Sequence, residues 1–234
     1  MIKLCVFDCD GTLVDSQHGI VAGMTAAFAA HGLAEPAAAA VRRVVGLPLA
    51  DAVARLLGDA DDGRAPAIAD SYRTAFADLR RRGGLEEPLY PGVLEGLAAI
   101  EAAGWLLGMA TGKSHRGAIA TLAGHGLERR FATVQTPDVA LGKPAPDMML
   151  RAMAETGAAP EATVMIGDTS FDMAMAVAAG TFAVGVAWGY HDAAELRAAG
   201  ADLVVEAFAE LPDAVDRLLA RRRCSGGGAD RGRR

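Results

Sequence analysis

The sequence predicts an α/β fold: a mainly parallel sheet with a helical module inserted after the first strand. Three observations predict it. Short apolar, strand-like runs recur along the chain, helical stretches lie between most of them, and residues 15–84 break the alternation with helical spacing alone. Apolar runs this short, several closing on Gly, Asp or Thr, suit strands buried on both faces. Strand–helix alternation puts helices on both sides of a parallel sheet, and ligands bind beyond the carboxyl ends of its strands.

The first strand is IKLCVF (2–7), which runs straight into Asp8. The inserted module follows. Ile20, Met24 and Phe28 fall at i, i+4, i+8; Val53, Leu56 and Leu57 make a second stripe; Ile68, Tyr72, Phe76 and Leu79 make a third. Each is a helix with one apolar face, and together they predict a small helical core. Gly83-Gly84 and Pro88 mark the exit. Alternation then resumes, with helices over 92–103, 114–124, 146–156, 170–179, 192–199 and 208–220. The strands between them are WLLGMA (105–110), FATVQT (131–136), TVMIGD (163–168), TFAVGV (181–186) and ADLVV (201–205). The domain reading is therefore a core of 1–14 and 85–220, a helical module of 15–84, and an Arg/Gly-rich tail of 221–234 expected to be disordered.

Hydrophobic residues make up 52% and charged residues 22% of the 234 positions, the balance of a folded chain rather than a disordered one. The net charge is −6; the tail holds six Arg and one Asp, so the body is more acidic still. An acidic body argues against general nucleic-acid binding and against docking on anionic membrane. Residues 173–190 run without a charge, but Gly180 sits where a helix would end, so they read as a helix and a strand rather than a membrane span. After Lys3 only four apolar residues precede Asp8, too few for an export signal. Cys5, Cys9 and Cys224 give neither a disulfide framework nor a metal spacing, which fits a reducing, cytoplasmic setting.

Chemistry concentrates at the strand ends. Asp8-Cys9-Asp10-Gly11-Thr12-Leu13-Val14-Asp15-Ser16 follows the first strand. Residues two apart in an extended chain share a face, about 6.6 Å apart, so Asp8 and Asp10 would enter one crevice while Cys9 packs into the core. Two such carboxylates are costly unless a cation or a shared proton relieves them. A second acidic pair, Asp168 and Asp172, follows TVMI; Asp168 reads equally as a helix N-cap or a metal ligand. Together these carboxylates suit a hard divalent cation such as Mg²⁺. Thr111-Gly112-Lys113-Ser114 offers a hydroxyl and backbone N–H groups at the opening of a helix, a ready anion site. Lys143 lies in Gly142-Lys143-Pro144-Ala145-Pro146-Asp147, where prolines stiffen the loop.

This set of motifs resembles the haloacid dehalogenase superfamily, in its phosphatase branch. The resemblance spans residues 1 to about 220, with motifs in order as DCDGTLVDS, Thr111, Lys143 and GDTSFD. It implies a Rossmann-like core, and the helical insertion looks like the α-helical cap domain of the phosphoglycolate phosphatase and β-phosphoglucomutase group. Gly46-Leu47-Pro48-Leu49 looks like that group's cap loop facing the active site.

The resemblance implies roles. Asp8 is the nucleophile that forms an aspartyl-phosphate, and Asp10 the acid and base. Asp8, the Asp10 backbone carbonyl and Asp168 hold Mg²⁺. Asp172 supports Lys143 or a metal-bound water. Thr111, Gly112, Gly11 and Lys143 bind the phosphate. Many relatives carry Asn after the motif-two Thr, where this chain has Gly112. The implied activity is hydrolysis of a small phosphorylated metabolite, phosphoglycolate-like or sugar-phosphate-like, by a monomer or homodimer.

Two other activities compete. A β-phosphoglucomutase-like phosphomutase would share every core motif. A P-loop NTPase is suggested by Gly108 to Ser114, but three residues separate Gly108 and Gly112 where four are needed, and Leu107 fills the required Gly position. His18, His31, His115, His125 and His191 show no metal spacing and read as solvated or structural; Arg42 or Arg43 is a candidate for a second anionic group on the substrate.

Overall fold

In the computed structural model, which describes residues 1–226, six parallel strands form one sheet in the order β3-β2-β1-β4-β5-β6. They are β1 (Lys3–Phe7), β2 (Trp105–Ala110), β3 (Phe131–Gln135), β4 (Thr163–Gly167), β5 (Phe182–Val186) and β6 (Leu203–Val205). Each lies within a run expected from the apolar pattern. The chain builds β1, β2 and β3 outward on one side, then returns to place β4 on the other side of β1. The carboxyl ends of β1 and β4 therefore flank the point where strand order reverses, which is where open α/β sheets bind ligands.

Side-chain alternation sorts the core into two layers. Cys5, Phe7 and Cys9 join Leu107, Met109, Val164, Ile166 and Val184 on one face, beneath α5 (Val93–Ala102), α6 (His115–Gly124) and α10 (Leu211–Gly226). Leu4, Val6, Met165 and Ala183 face the other way, against α7 (Asp147–Thr156), α8 (Ser170–Ala178) and α9 (Ala193–Ala198). Cys9 thus packs in the core, opposite Asp8, as the two-residue period predicts. The charge-free stretch 173–190 divides into α8 and β5, and among the described residues no helix is long and apolar enough to cross a membrane.

Between β1 and α5 lie four helices: α1 (Gln17–Ala30), α2 (Ala38–Val44), α3 (Leu49–Leu57) and α4 (Ala65–Arg81). They carry an apolar cluster of their own. Ile20, Met24, Phe28, Val41, Val53 and Ile68 are buried within it, with Tyr72 and Phe76 packed alongside. The segments entering and leaving this unit run side by side: Val14 pairs with Leu89 in an antiparallel bridge, and Asp15 N–H donates to the Pro88 carbonyl at 2.8 Å.

One expectation shifts. Helix α10 runs to Gly226, into the segment read as a disordered tail from 221; Arg is a good helix former, so Arg221 to Arg223 extend the helix instead of ending it. The rest of that expected tail, 227–234, lies outside the described residues.

Ile68 is fully buried in the cluster of the four helices. Ile68→Ala should lower unfolding stability by about 2–5 kcal/mol, read by chemical denaturation.

Candidate active site

Asp8 follows β1 and is 1% exposed; Asp168 follows β4 and is fully buried, as is Asp172 in the first turn of α8. Asp8 N–H donates to the Ile166 carbonyl at 2.9 Å, which locks the two strand ends together. One carboxylate oxygen from each of Asp8, Asp168 and Asp172 lies within 4.8 Å of the others, a cluster able to hold a metal ion. Three buried carboxylates this close repel one another unless positive charge sits among them.

Lys143 supplies part of that charge. Its Nζ lies 2.7 Å from Asp8 Oδ2 and 2.6 Å from Asp172 Oδ1, with no exposed side-chain surface. Burial works against the Lys143 charge, but Asp172 and Asp8 hold its ammonium above the ordinary value. Burial raises the Asp8 carboxyl, Lys143 opposes the rise and Asp172 adds to it, so that it stands at about 7. Asp168 is driven well above the usual carboxylate range by burial and then by the Asp8 and Asp172 charges.

Neutral donors complete the satisfaction of these oxygens. Cys9 N–H donates to Asp8 Oδ1 at 2.6 Å. Thr12 Oγ1 donates to Asp168 Oδ1 at 2.8 Å, and Tyr190 N–H to Asp168 Oδ2 at 2.9 Å. Thr169 donates to Asp172 Oδ2 from both its backbone N–H (3.0 Å) and its hydroxyl (2.6 Å). That geometry removes the N-cap reading of Asp168. Thr169 is the N-cap of α8, in a capping box with Asp172, so Asp168 is free to face the crevice. Gly11 sits at φ +80, and a Cβ there would lie 2.2 Å from Asp168 Oδ2, so only glycine lets this turn pass the carboxylate.

Asp10 is 7% exposed and turns to a different partner set. Ser16 Oγ donates to its Oδ1, and Lys113 Nζ lies 2.8 Å from the same oxygen. Lys113 also reaches Glu87 Oε1 at 2.8 Å. Burial opposes its charge, yet Asp10, Cys9 and Glu87 hold the Lys113 ammonium above the ordinary range. Asp10 is absent from the cluster of side-chain oxygens able to hold a metal.

Thr111 follows β2, fully buried; its N–H donates to the Gln135 carbonyl at 3.1 Å and its hydroxyl accepts from Lys113 N–H at 3.3 Å. A Cβ on Gly112 would lie 3.1 Å from the Gly46 carbonyl oxygen and 3.2 Å from that of Leu47. The loop between α2 and α3 thus lies close against Gly112, and a side chain there would need it to give by a few tenths of an ångström. The P-loop reading fails: Gly108 lies inside β2, buried between strands, and Lys113 points to Asp10 and Glu87.

Several residues here carry no local sequence signal: Lys113 as a partner of Asp10, Glu87, and the Tyr190 backbone. Ser16 lay in the first motif without a role. Arg43, a candidate for substrate contact, instead forks onto Glu195 of α9, with Nη2 to Oε1 at 2.7 Å. His191, 4% exposed, accepts from Ser170 N–H through Nδ1 (3.1 Å) and bonds the Arg43 carbonyl through Nε2 (3.3 Å). His18 and His115 are exposed.

Comparison with known proteins matches residues 2–180 to the family model of haloacid dehalogenase-like hydrolases. A protein of Dickeya dadantii named "Probable phosphatase IndB" is 39% identical over 223 residues, covering 94% of this chain and 96% of that one. An N-acetylmuramic acid 6-phosphate phosphatase of Pseudomonas aeruginosa is 35% identical, covering 93% and 96%. A phosphoglycolate phosphatase of Chromobacterium violaceum is 34% identical, covering 91% and 96%. Among solved structures, CbbY of Rhodobacter sphaeroides in complex with phosphate superposes with a TM-score of 0.73 at 28% identity, covering 90% and 96%.

Asp8 and Asp168 titrate above the ordinary carboxylate value in the fold, so they favour folding while protonated, and that contribution fades as pH climbs from about 4 toward neutrality. A divalent cation that binds the ionised forms should offset the loss. Added Mg²⁺ is expected to raise Tm clearly at pH 8 and much less at pH 5, read by thermal melting.

Proposed function

The chain belongs to the haloacid dehalogenase-like hydrolase family, and from that premise we propose a Mg²⁺-dependent phosphatase that works through an aspartyl-phosphate on Asp8. The observation that carries the reading is the Asp8 carboxylate, buried at a strand end, with Lys143 Nζ at 2.7 Å and the Asp168 and Asp172 carboxylates beside it. The chain is a phosphatase by family and relatives. The proposal extends that to metal, intermediate and substrate size.

Asp8, Asp168 and the Asp10 backbone carbonyl are the proposed ligands of Mg²⁺. When bound, the ion supplies positive charge that lets a carboxylate and a phosphate approach each other. Lys143 adds charge on the same side and, held by Asp172, orients Asp8 for attack in line with the ester oxygen. The Thr111 hydroxyl and the Gly112 and Gly11 backbones would receive the phosphate oxygens. Asp10 gives a proton to the departing alcohol, then takes one from the water that releases phosphate from Asp8.

The proposed substrate is a small phosphorylated metabolite, phosphoglycolate-like or sugar-phosphate-like. The four helices of 17–81 would act as a cap domain over the crevice, with Gly46 to Pro48 as the loop nearest Gly112 and Gly142. The acidic body and the two buried free thiols, Cys5 and Cys9, support a cytoplasmic enzyme without nucleic-acid or membrane partners.

Hydrolysis of p-nitrophenyl phosphate by the purified protein with Mg²⁺ tests the reading. EDTA should abolish turnover, and Asp8→Asn should lower kcat by at least ~10³-fold. Full activity under both changes would overturn the mechanism. Conversion of glucose 1-phosphate to glucose 6-phosphate would shift the assignment to the mutase.

A further inference from the structure

We propose that Lys113, anchored by Glu87, is a positioning residue that aims the Asp10 carboxylate at the ester oxygen. The inference rests on the phosphatase reading above and adds a residue to it. Lys113 Nζ lies 2.8 Å from Asp10 Oδ1 and 2.8 Å from Glu87 Oε1, with only 8% of the lysine side chain exposed. Glu87 is itself held: Arg80 of α4 reaches its Oε2 at 2.6 Å, and Thr121 Oγ1 donates to that oxygen at 3.3 Å. The Phe76 ring of α4 lies 5.4 Å from Lys113 Nζ and closes the remaining side.

Two features argue for more than a packing ion pair. Taking a lysine and two carboxylates out of water is costly, and replacing such a group by apolar side chains is often neutral or stabilising. Here the charges are spent on the one carboxylate proposed to move a proton. The contacts are also one-sided. Ser16 and Lys113 both engage Oδ1 of Asp10, so both hold the carboxylate from the same side. Thr111 lies two residues before Lys113, so a single short loop would grip the phosphate and the acid that serves it.

In the first half-reaction an Asp8 oxygen–phosphorus bond forms, the ester phosphorus–oxygen bond breaks, and the Asp10 proton passes to the ester oxygen, which leaves as an alcohol. In the second half a water oxygen bonds phosphorus, the Asp8 bond breaks, and Asp10 recovers a proton from the water. A misaimed Asp10 harms the first half in proportion to how much protonation the leaving group needs. It harms the second half equally for every substrate.

That asymmetry supplies the test. Lys113→Met should lower kcat/KM for β-glycerol phosphate, a poor leaving group, by about 30-fold or more, and for p-nitrophenyl phosphate by less than about fivefold. With p-nitrophenyl phosphate the variant should show a pre-steady-state burst, because hydrolysis of the aspartyl-phosphate becomes limiting. Lys113→Arg should recover most of the loss. Glu87→Gln, which keeps Lys113 but loosens its anchor, should show a smaller loss of the same pattern, and it carries the test alone should Lys113→Met fail to fold. Equal losses for both esters in the folded variant, or a change confined to KM, would overturn the proposal. Unimpaired Asp8→Asn would instead sink the phosphatase mechanism beneath it.

Discussion

Four carboxylates, Asp8, Asp10, Asp168 and Asp172, converge where β1 and β4 end, and all are buried. Everything around them answers that one electrostatic problem. A buried carboxylate without a partner costs several kcal/mol, and like charges at close range raise the cost. Two lysines meet it in part, each bridging two acids. Backbone and hydroxyl donors from Cys9, Thr12, Thr169 and Tyr190 meet more. The Asp8 and Asp168 carboxyls are raised first by burial and then by the negative charges beside them. The Asp8, Asp168 and Asp172 oxygens are close enough together to hold a divalent cation.

The sheet order divides the labour between the lysines. Strand β4 lies on one side of β1 and β2 on the other. The β4 side brings Asp168 and Asp172 to Asp8, and Lys143 sits among them. The loop after β2 brings Lys113 to Asp10. Asp8 and Asp10 therefore have separate cations although only one residue lies between them. Had one lysine served both, any movement of Asp10 would also have disturbed Asp8.

The strands and the buried acids at their ends were legible because each depends on a local pattern. An apolar run followed by Asp needs no distant partner to be noticed, and the two-residue period placed Cys9 in the core and Asp8 in the crevice. The helical stripes of α1, α3 and α4 were legible for the same reason. What escaped was every encounter between side chains far apart in the chain. Nothing near Lys113 announces Glu87, and nothing near Asp168 announces the Tyr190 N–H. Capping of α8 was ambiguous by one residue, since Asp168 and Thr169 are both good caps and only the backbone angles decide. Over 221–226 composition suggested disorder, while consecutive arginines following a helix extend it readily; 227–234 lie outside the described residues.

The seam between the four inserted helices and the sheet differs in kind from either core. Within the helical unit the contacts are apolar: Ile20, Met24, Phe28, Val53 and Ile68. Across the seam they are polar or glycine-mediated. Arg43 pairs with Glu195 where both side chains are over a third exposed, His191 bonds the Arg43 carbonyl, Gly46 rests on Gly112, and Pro48 on Gly142. An exposed pair of this sort contributes about 0.2–1 kcal/mol, whereas each buried apolar side chain contributes about 1.5–3. The seam is thus held mainly by charge and close backbone approach, the helical unit by apolar burial. The Lys113–Glu87–Arg80 chain is the point where helix α4 is electrostatically tied to Asp10.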